Sequence, residues 1–199
     1  MRSQPVLEVL LLFLAILSAC STEPKEQTPV PVTTANTHPE KAHPQFDKLT
    51  SDQTNIYFIN EVAEDRFRNI LLYQYFYNGG GVAAGDIDND GKTDLFFTGN
   101  MVANKLYRNQ GNRGNIRSGS APFKFEDITI AAGILPSGTA SWCTGVTMAD
   151  VNADGWLDIY VCRSGNLQPT NRKNLLFINN GDNTFIESAA LYNLNDEGY

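Results

Sequence analysis

Gly81 to Asn100 reads GVAAGDIDNDGKTDLFFTGN, and Gly145 to Asn166 answers with GVTMADVNADGWLDIYVCRSGN. Their first aspartates, Asp86 and Asp150, stand 64 residues apart. The echo continues downstream. Asn104-Lys105-Leu106-Tyr107-Arg108-Asn109 is matched by Asn174-Leu175-Leu176-Phe177-Ile178-Asn179, and Phe125-Glu126-Asp127 by Phe185-Ile186-Glu187. The changing offset places an insertion in the first copy around Gly111 to Pro122, where Gly, Ser and Asn predominate as in a loop. An internal repeat of this length decides the architecture before any single residue does.

Each copy reads as four short strands, in the second copy 144–149, 157–163, 174–179 and 184–188. β-branched and aromatic residues fill these runs, and Gly, Asn and Asp clusters bound them. No helical period runs through the repeats. The expectation is an all-β chain of about two antiparallel four-stranded units, which as repeats of this size read as propeller blades. A β-sandwich is the competing architecture, but it leaves the repeat without a cause.

The acidic stretches align as Asp86-x-Asp88-x-Asp90-Gly91-x-x-Asp94 and Asp150-x-Asn152-x-Asp154-Gly155-x-x-Asp158. Like charges this close repel unless a cation holds them. Alternate side chains of a tight loop converge on one centre, a glycine at position 6 permits the turn, and a backbone carbonyl at position 7 adds an oxygen. The position-7 residues are Lys92 and Trp156. Hard oxygen donors select calcium or magnesium, and a many-carboxylate cage favours calcium. The expectation is one Ca2+ per loop. An EF-hand needs Glu at position 12. Here that position holds Phe97 and Val161, so Asp94 and Asp158 must close each cage.

Asn78-Gly79-Gly80-Gly81-Val82-Ala83-Ala84-Gly85-Asp86 and the loop after it resemble the FG-GAP/VCBS repeat of integrin α-subunits and many secreted bacterial proteins. The resemblance spans about residues 75 to 190. It implies a β-propeller, often seven-bladed, with calcium between the first two strands of each blade. The wider pattern looks most like bacterial lipoproteins that carry a C-terminal ASPIC/UnbV domain. The sequence departs from the integrin form in having Thr98-Gly99-Asn100 and Arg163-Ser164-Gly165 in place of the GAP element, and it has no ASPIC/UnbV segment. A seven-bladed ring needs on the order of 400 residues at this spacing. The expectation is therefore that these 199 residues are the N-terminal part of a longer protein.

Outside the repeats, Arg2 precedes an apolar run from Val6 to Leu17 broken only by Glu8. It is short for a membrane span but suits a signal peptide over residues 1–19. Leu17-Ser18-Ala19-Cys20 resembles a bacterial lipobox, which implies acylation at Cys20 and a stable membrane anchor. Residues 20–45, rich in Pro, Thr, Glu and Lys, read as a solvated tether, with the domain from 46 to 199. The expected location is the cell envelope, as an outer-membrane lipoprotein of a Gram-negative bacterium. A net charge of −7 argues against nucleic acid.

Both histidines, His38 and His43, fall in the tether, so histidine-dependent triads and zinc sites are excluded from the domain. Gly79-x-Gly81-x-x-Ala84 mimics a dinucleotide fingerprint, but an acidic loop follows it instead of a helix. Paired carboxylates can hydrolyse glycosides, yet aspartates aimed at one centre leave no room for a sugar. Trp142 and Trp156 read as packing aromatics sooner than as a sugar platform. Cys143 and Cys162 flank the second loop. If residues 149 and 157 pair, these cysteines are near neighbours, either a disulfide or two free thiols. The functional expectation is a binding, adhesion or scaffold module for a protein or glycan. The alternative is an enzyme framed on a propeller, such as a polysaccharide-acting one, with its active site outside the aspartate loops.

Overall fold

The computed structural model describes residues 48–111, 123–134, 142–165 and 171–197. All of them lie in the unit spanning Asp47–Tyr199. The signal segment, Cys20, the tether with both histidines, and residues 112–122 of the insertion lie outside the described residues. One four-residue helix, α1 (Ser51–Thr54), opens the described chain, closed at its start by a capping box between Thr50 and Gln53.

Among the described residues, the elements that follow α1 are all β-strands, as expected. The strands are β1 (Val82–Gly85), β2 (Asp94–Phe97), β3 (Lys105–Asn109), β4 (Phe125–Asp127), β5 (Cys143–Ala149), β6 (Asp158–Arg163), β7 (Leu175–Asn179) and β8 (Phe185–Glu187). They form two four-stranded antiparallel meanders, β1-β2-β3-β4 and β5-β6-β7-β8. Short strands joined by Gly- and Asn-rich turns pair with their nearest neighbour in sequence, which needs no crossover. The two sheets repeat each other closely: β3 and β7 share one burial pattern, and so do β4 and β8.

The main core lies between the sheets. Ile87, Phe96, Leu106, Ile128, Ala132 and Ile134 pack with Cys143, Ile159, Val161, Phe177 and Phe185. Neither sheet could bury its apolar face alone, so the second copy supplies what the first lacks. Gly81 lets β1 approach β5, since a Cβ there would sit 2.9 Å from the Thr144 carbonyl oxygen. In the pattern that mimics a nucleotide fingerprint, Gly81 is thus a packing requirement, while Gly79 takes a left-handed backbone at φ 79°. A second cluster joins Tyr73, Phe76 and Trp142, with Trp142 edge-on to Tyr73 at 5.5 Å. Trp142 is buried and serves packing, as expected.

The two cysteines are near neighbours across the hairpin, as expected. The hairpin closes on Ala149 opposite Asp158, one residue beyond the expected pairing, and a register shift falls between Cys143 and Gly145. Cys143 therefore faces Arg163, the neighbour of Cys162, across the ladder, Cys162 faces Gly145, and no disulfide joins the two cysteines. In a structure of period two, a one-residue displacement is enough to separate two side chains.

Candidate metal centre

Both acidic loops close at the foot of a hairpin. Gly85 pairs with Asp94 and Ala149 with Asp158, so each loop spans the eight residues between the first two strands of its sheet. Two left-handed residues bend each loop: Asn89 and Gly91 in the first, Ala153 and Gly155 in the second. Glycine at position 6 was legible in the sequence. The left-handed residue at position 4 was not, because alanine gives no signal for it.

The aspartates at positions 1 and 9 do the same work in both loops. Asp86 accepts from the N–H groups of Asp90 and Gly91 at 3.1 and 2.8 Å, and Asp150 from those of Asp154 and Gly155 at 3.1 and 2.9 Å. Asp94 accepts from the N–H groups of Ile87 and Asn109 at 3.0 and 2.7 Å. Asp158 accepts from Val151 and Asn179, both at 2.9 Å. Asp94 and Asp158 are fully buried. Each ties its loop to the third strand of its sheet, a role the ligand pattern alone did not reveal.

The loops differ at positions 3 and 5. In the first, carboxylate oxygens of Asp86, Asp88 and Asp94 all lie within 4.8 Å of one another. Asp90, expected in the cage, instead pairs with the Lys92 ammonium, which reaches back two residues. Lys92 was expected to contribute only its carbonyl. In the second loop the Asn152 amide donates to Asp154 at 2.8 Å, and Asp154 also accepts from the Trp156 N–H at 2.9 Å. No comparable trio of acidic groups converges there among the described residues. A neutral amide at position 3 turns a repelling neighbour into a hydrogen-bond donor.

The electrostatics of the first loop record the crowding. Burial pushes the Asp94 carboxyl up to about 6 despite the two backbone donors, and the charges of Asp88 and Asp90 add to the rise. Burial, with Asp90 and Asp86 nearby, also raises Asp88. Asp90 goes the other way, held low by its hydrogen bond to Lys92. Asp88 Oδ1 is buried with no hydrogen-bond partner. A buried carboxylate oxygen without a donor is costly. It sits in the Asp86, Asp88 and Asp94 trio, and a hard divalent ion is what such a donor set fits.

Residues 86–161 match the FG-GAP-like repeat family. The match begins at Asp86, runs through both acidic loops and ends on β6. It supports the resemblance seen in the sequence. With two antiparallel four-stranded sheets and almost no helix, the described fold is that of two propeller blades. A comparison with curated proteins finds no match.

Proposed function

We propose that the chain is a calcium-stabilised propeller module of the cell envelope that binds a protein or glycan. The single observation that carries the calcium reading is Asp88 Oδ1, buried and unpartnered beside Asp86 and Asp94. In the first loop Asp86, Asp88 and Asp94 would hold the ion, with Asp90 joining if the ion outcompetes Lys92. In the second loop Asp150, Asn152, Asp154 and Asp158 would do so. A bound ion supplies the positive charge that lets the crowded carboxylates stay ionised inside the fold. The role is structural, because every ligand position lies in a hairpin turn or on the strand residue that closes it, which the ion would pin together.

The binding role draws on a different region. Phe67, Leu71, Leu72, Tyr75 and Tyr77 are all exposed on the segment before β1. Five exposed large apolar side chains within eleven residues of chain support an interaction surface on this segment. The anchoring role rests on the lipobox-like Leu17-Ser18-Ala19-Cys20, which lies outside the described residues. Calorimetric titration of chelator-treated protein with calcium, read beside thermal unfolding, tests the proposal. Binding accompanied by a rise in Tm is expected. Protein that binds no calcium and melts identically with and without it would refute the reading.

A further inference from the structure

The two acidic loops hold their position-5 aspartates by the same backbone bond but by different side chains. The Lys92 N–H donates to Asp90 Oδ1 at 2.9 Å, and the Trp156 N–H donates to Asp154 Oδ1 at 2.9 Å. The second oxygen of each carboxylate takes its donor from a different place. Asp154 Oδ2 accepts from the Asn152 amide, at position 3, at 2.8 Å. Asp90 Oδ2 accepts from the Lys92 ammonium, at position 7. Position 3 of the first loop is Asp88, and an ionised carboxylate has no proton to donate.

The side chain at position 7 follows the same path in both sheets. It lies over a left-handed glycine two residues past the third strand, Gly111 in the first sheet and Gly181 in the second. A Cβ on Gly181 would sit 3.0 Å from the Trp156 indole, and one on Gly111 would sit 3.0 Å from Lys92 Cε. Trp156 ends in that packing contact. Lys92 runs its stem past Gly111 and turns its ammonium back to Asp90. It does there what an amide does in the second loop, and it brings a positive charge.

That charge is an incomplete substitute for a divalent ion. An ammonium is a compact point charge, and this one is bonded to Asp90. It leaves the oxygens of Asp86, Asp88 and Asp94 converging, with Asp88 Oδ1 unpartnered. Calcium takes about six to eight oxygens, enough to gather this trio and Asp90 together. The ion and the ammonium carry like charge, so they repel each other across one carboxylate.

We infer that Lys92 is the resident counter-ion of the first loop, and that calcium completes the cage only by displacing it from Asp90. The inference rests on the calcium reading proposed above and adds a difference between the loops. The first carries its own competitor, which lowers its affinity and is released when the ion binds. The second carries none, because Asn152 is neutral and Trp156 stays over Gly181.

Calorimetric calcium titration of the chelator-treated full chain tests this with four proteins: the unaltered chain, Lys92→Met, Asp90→Asn and the double variant. Methionine keeps an unbranched stem over Gly111 and removes the charge. The Lys92 and Asp90 side chains are 38% and 32% exposed, so neither change reaches the core, and far-UV circular dichroism confirms folding. The second loop is the same in all four proteins and serves as the internal reference. Lys92→Met is expected to bind calcium about two- to fivefold tighter at one site, the range that part-exposed ion pairs span. In the Asp90→Asn background most of that gain is expected to vanish, because the pair it would break is already gone. A gain as large in both backgrounds would overturn the inference, since it shows only the general repulsion of a nearby cation. Calcium binding that Lys92→Met leaves unchanged or weakens would overturn it alone, with the calcium reading intact. Proteins that take up no calcium in any of the four forms would overturn both.

Discussion

Asn179 and Ile87 belong to different copies of the repeat, 92 residues apart, yet the Asn179 side chain donates to the Ile87 carbonyl at 2.8 Å in the buried interior. Ile87 is itself the second residue of the first acidic loop, and its N–H is held by Asp94 at 3.0 Å. The loop of one sheet and the third strand of the next are therefore mechanically joined.

Asn179→Ala removes this bond and the one to Leu157, leaving two carbonyls short of a donor. A buried, unsatisfied polar group costs about 1–3 kcal/mol, and that is the expected loss of stability. Asn109→Ala removes the bond to Thr93 and the one accepted from the Gly111 N–H, which Asn179 matches at Gly181, and is expected to cost about 1 kcal/mol less, the bond to Ile87 being the difference. Urea unfolding of both variants at low protein concentration measures the gap.

Asp88→Asn should have opposite effects with and without calcium. The change makes the first loop resemble the second, which has Asn152 at that position. Without the ion it removes a charge that Asp86 and Asp90 repel, so the variant is expected to melt above the unaltered chain in chelator. With the ion it removes a ligand, so its gain from calcium is expected to be smaller. Melting curves that keep the same order in both conditions would contradict this reading.

The pH dependence of the metal-free chain follows from Asp94. Its carboxyl titrates near 6 in the fold against an ordinary value of 3.8. Between those values the folded state holds more protons than the unfolded state, so stability contributed by this group declines as pH rises through about 6. A calcium ion held by this carboxylate would displace that proton. The rise in Tm on adding calcium is therefore expected to be larger well above pH 6 than well below it. Thermal melts across that range, with calcium and with chelator, measure both trends.

Ala153 holds a left-handed backbone at φ 61°, where an L side chain is disfavoured. Its partner position in the first loop is Asn89, also left-handed. Ala153→Asn is expected to stabilise the protein by about 0.5–1 kcal/mol, because asparagine tolerates this conformation better. Ala153→Val is expected to destabilise it, and denaturant midpoints distinguish the two.

Reducing agent is expected to leave the unfolding curve of the domain unchanged, because no disulfide joins Cys143 and Cys162, which stand one residue out of register. A midpoint that drops on reduction would show that these thiols pair in solution.

Much of this molecule was legible in its residues. The all-β class, the four strands of the second copy to within one residue, and the loops at the hairpin feet all follow from period-two runs punctuated by Gly, Asn and Asp. Those signals are local: they depend on neighbours a few positions away, which the chain states directly. The cage was legible only in part. Spacing named Asp86, Asp88, Asp90 and Asp94 together, but it could not show that Lys92 draws Asp90 aside, nor that Asp94 and Asp158 also hold the N–H groups of Asn109 and Asn179.

What the tertiary structure decided is of a different kind. The one-residue displacement that separates the cysteines, the close approach of β5 to Gly81, and the reach of Asn179 to Ile87 all depend on how two sheets settle against each other. Periodicity says which face of a strand is apolar, and repetition says that two such faces exist. Only packing determines which atoms meet between them, because van der Waals contact and hydrogen-bond geometry act over a few tenths of an ångström, finer than any sequence pattern specifies.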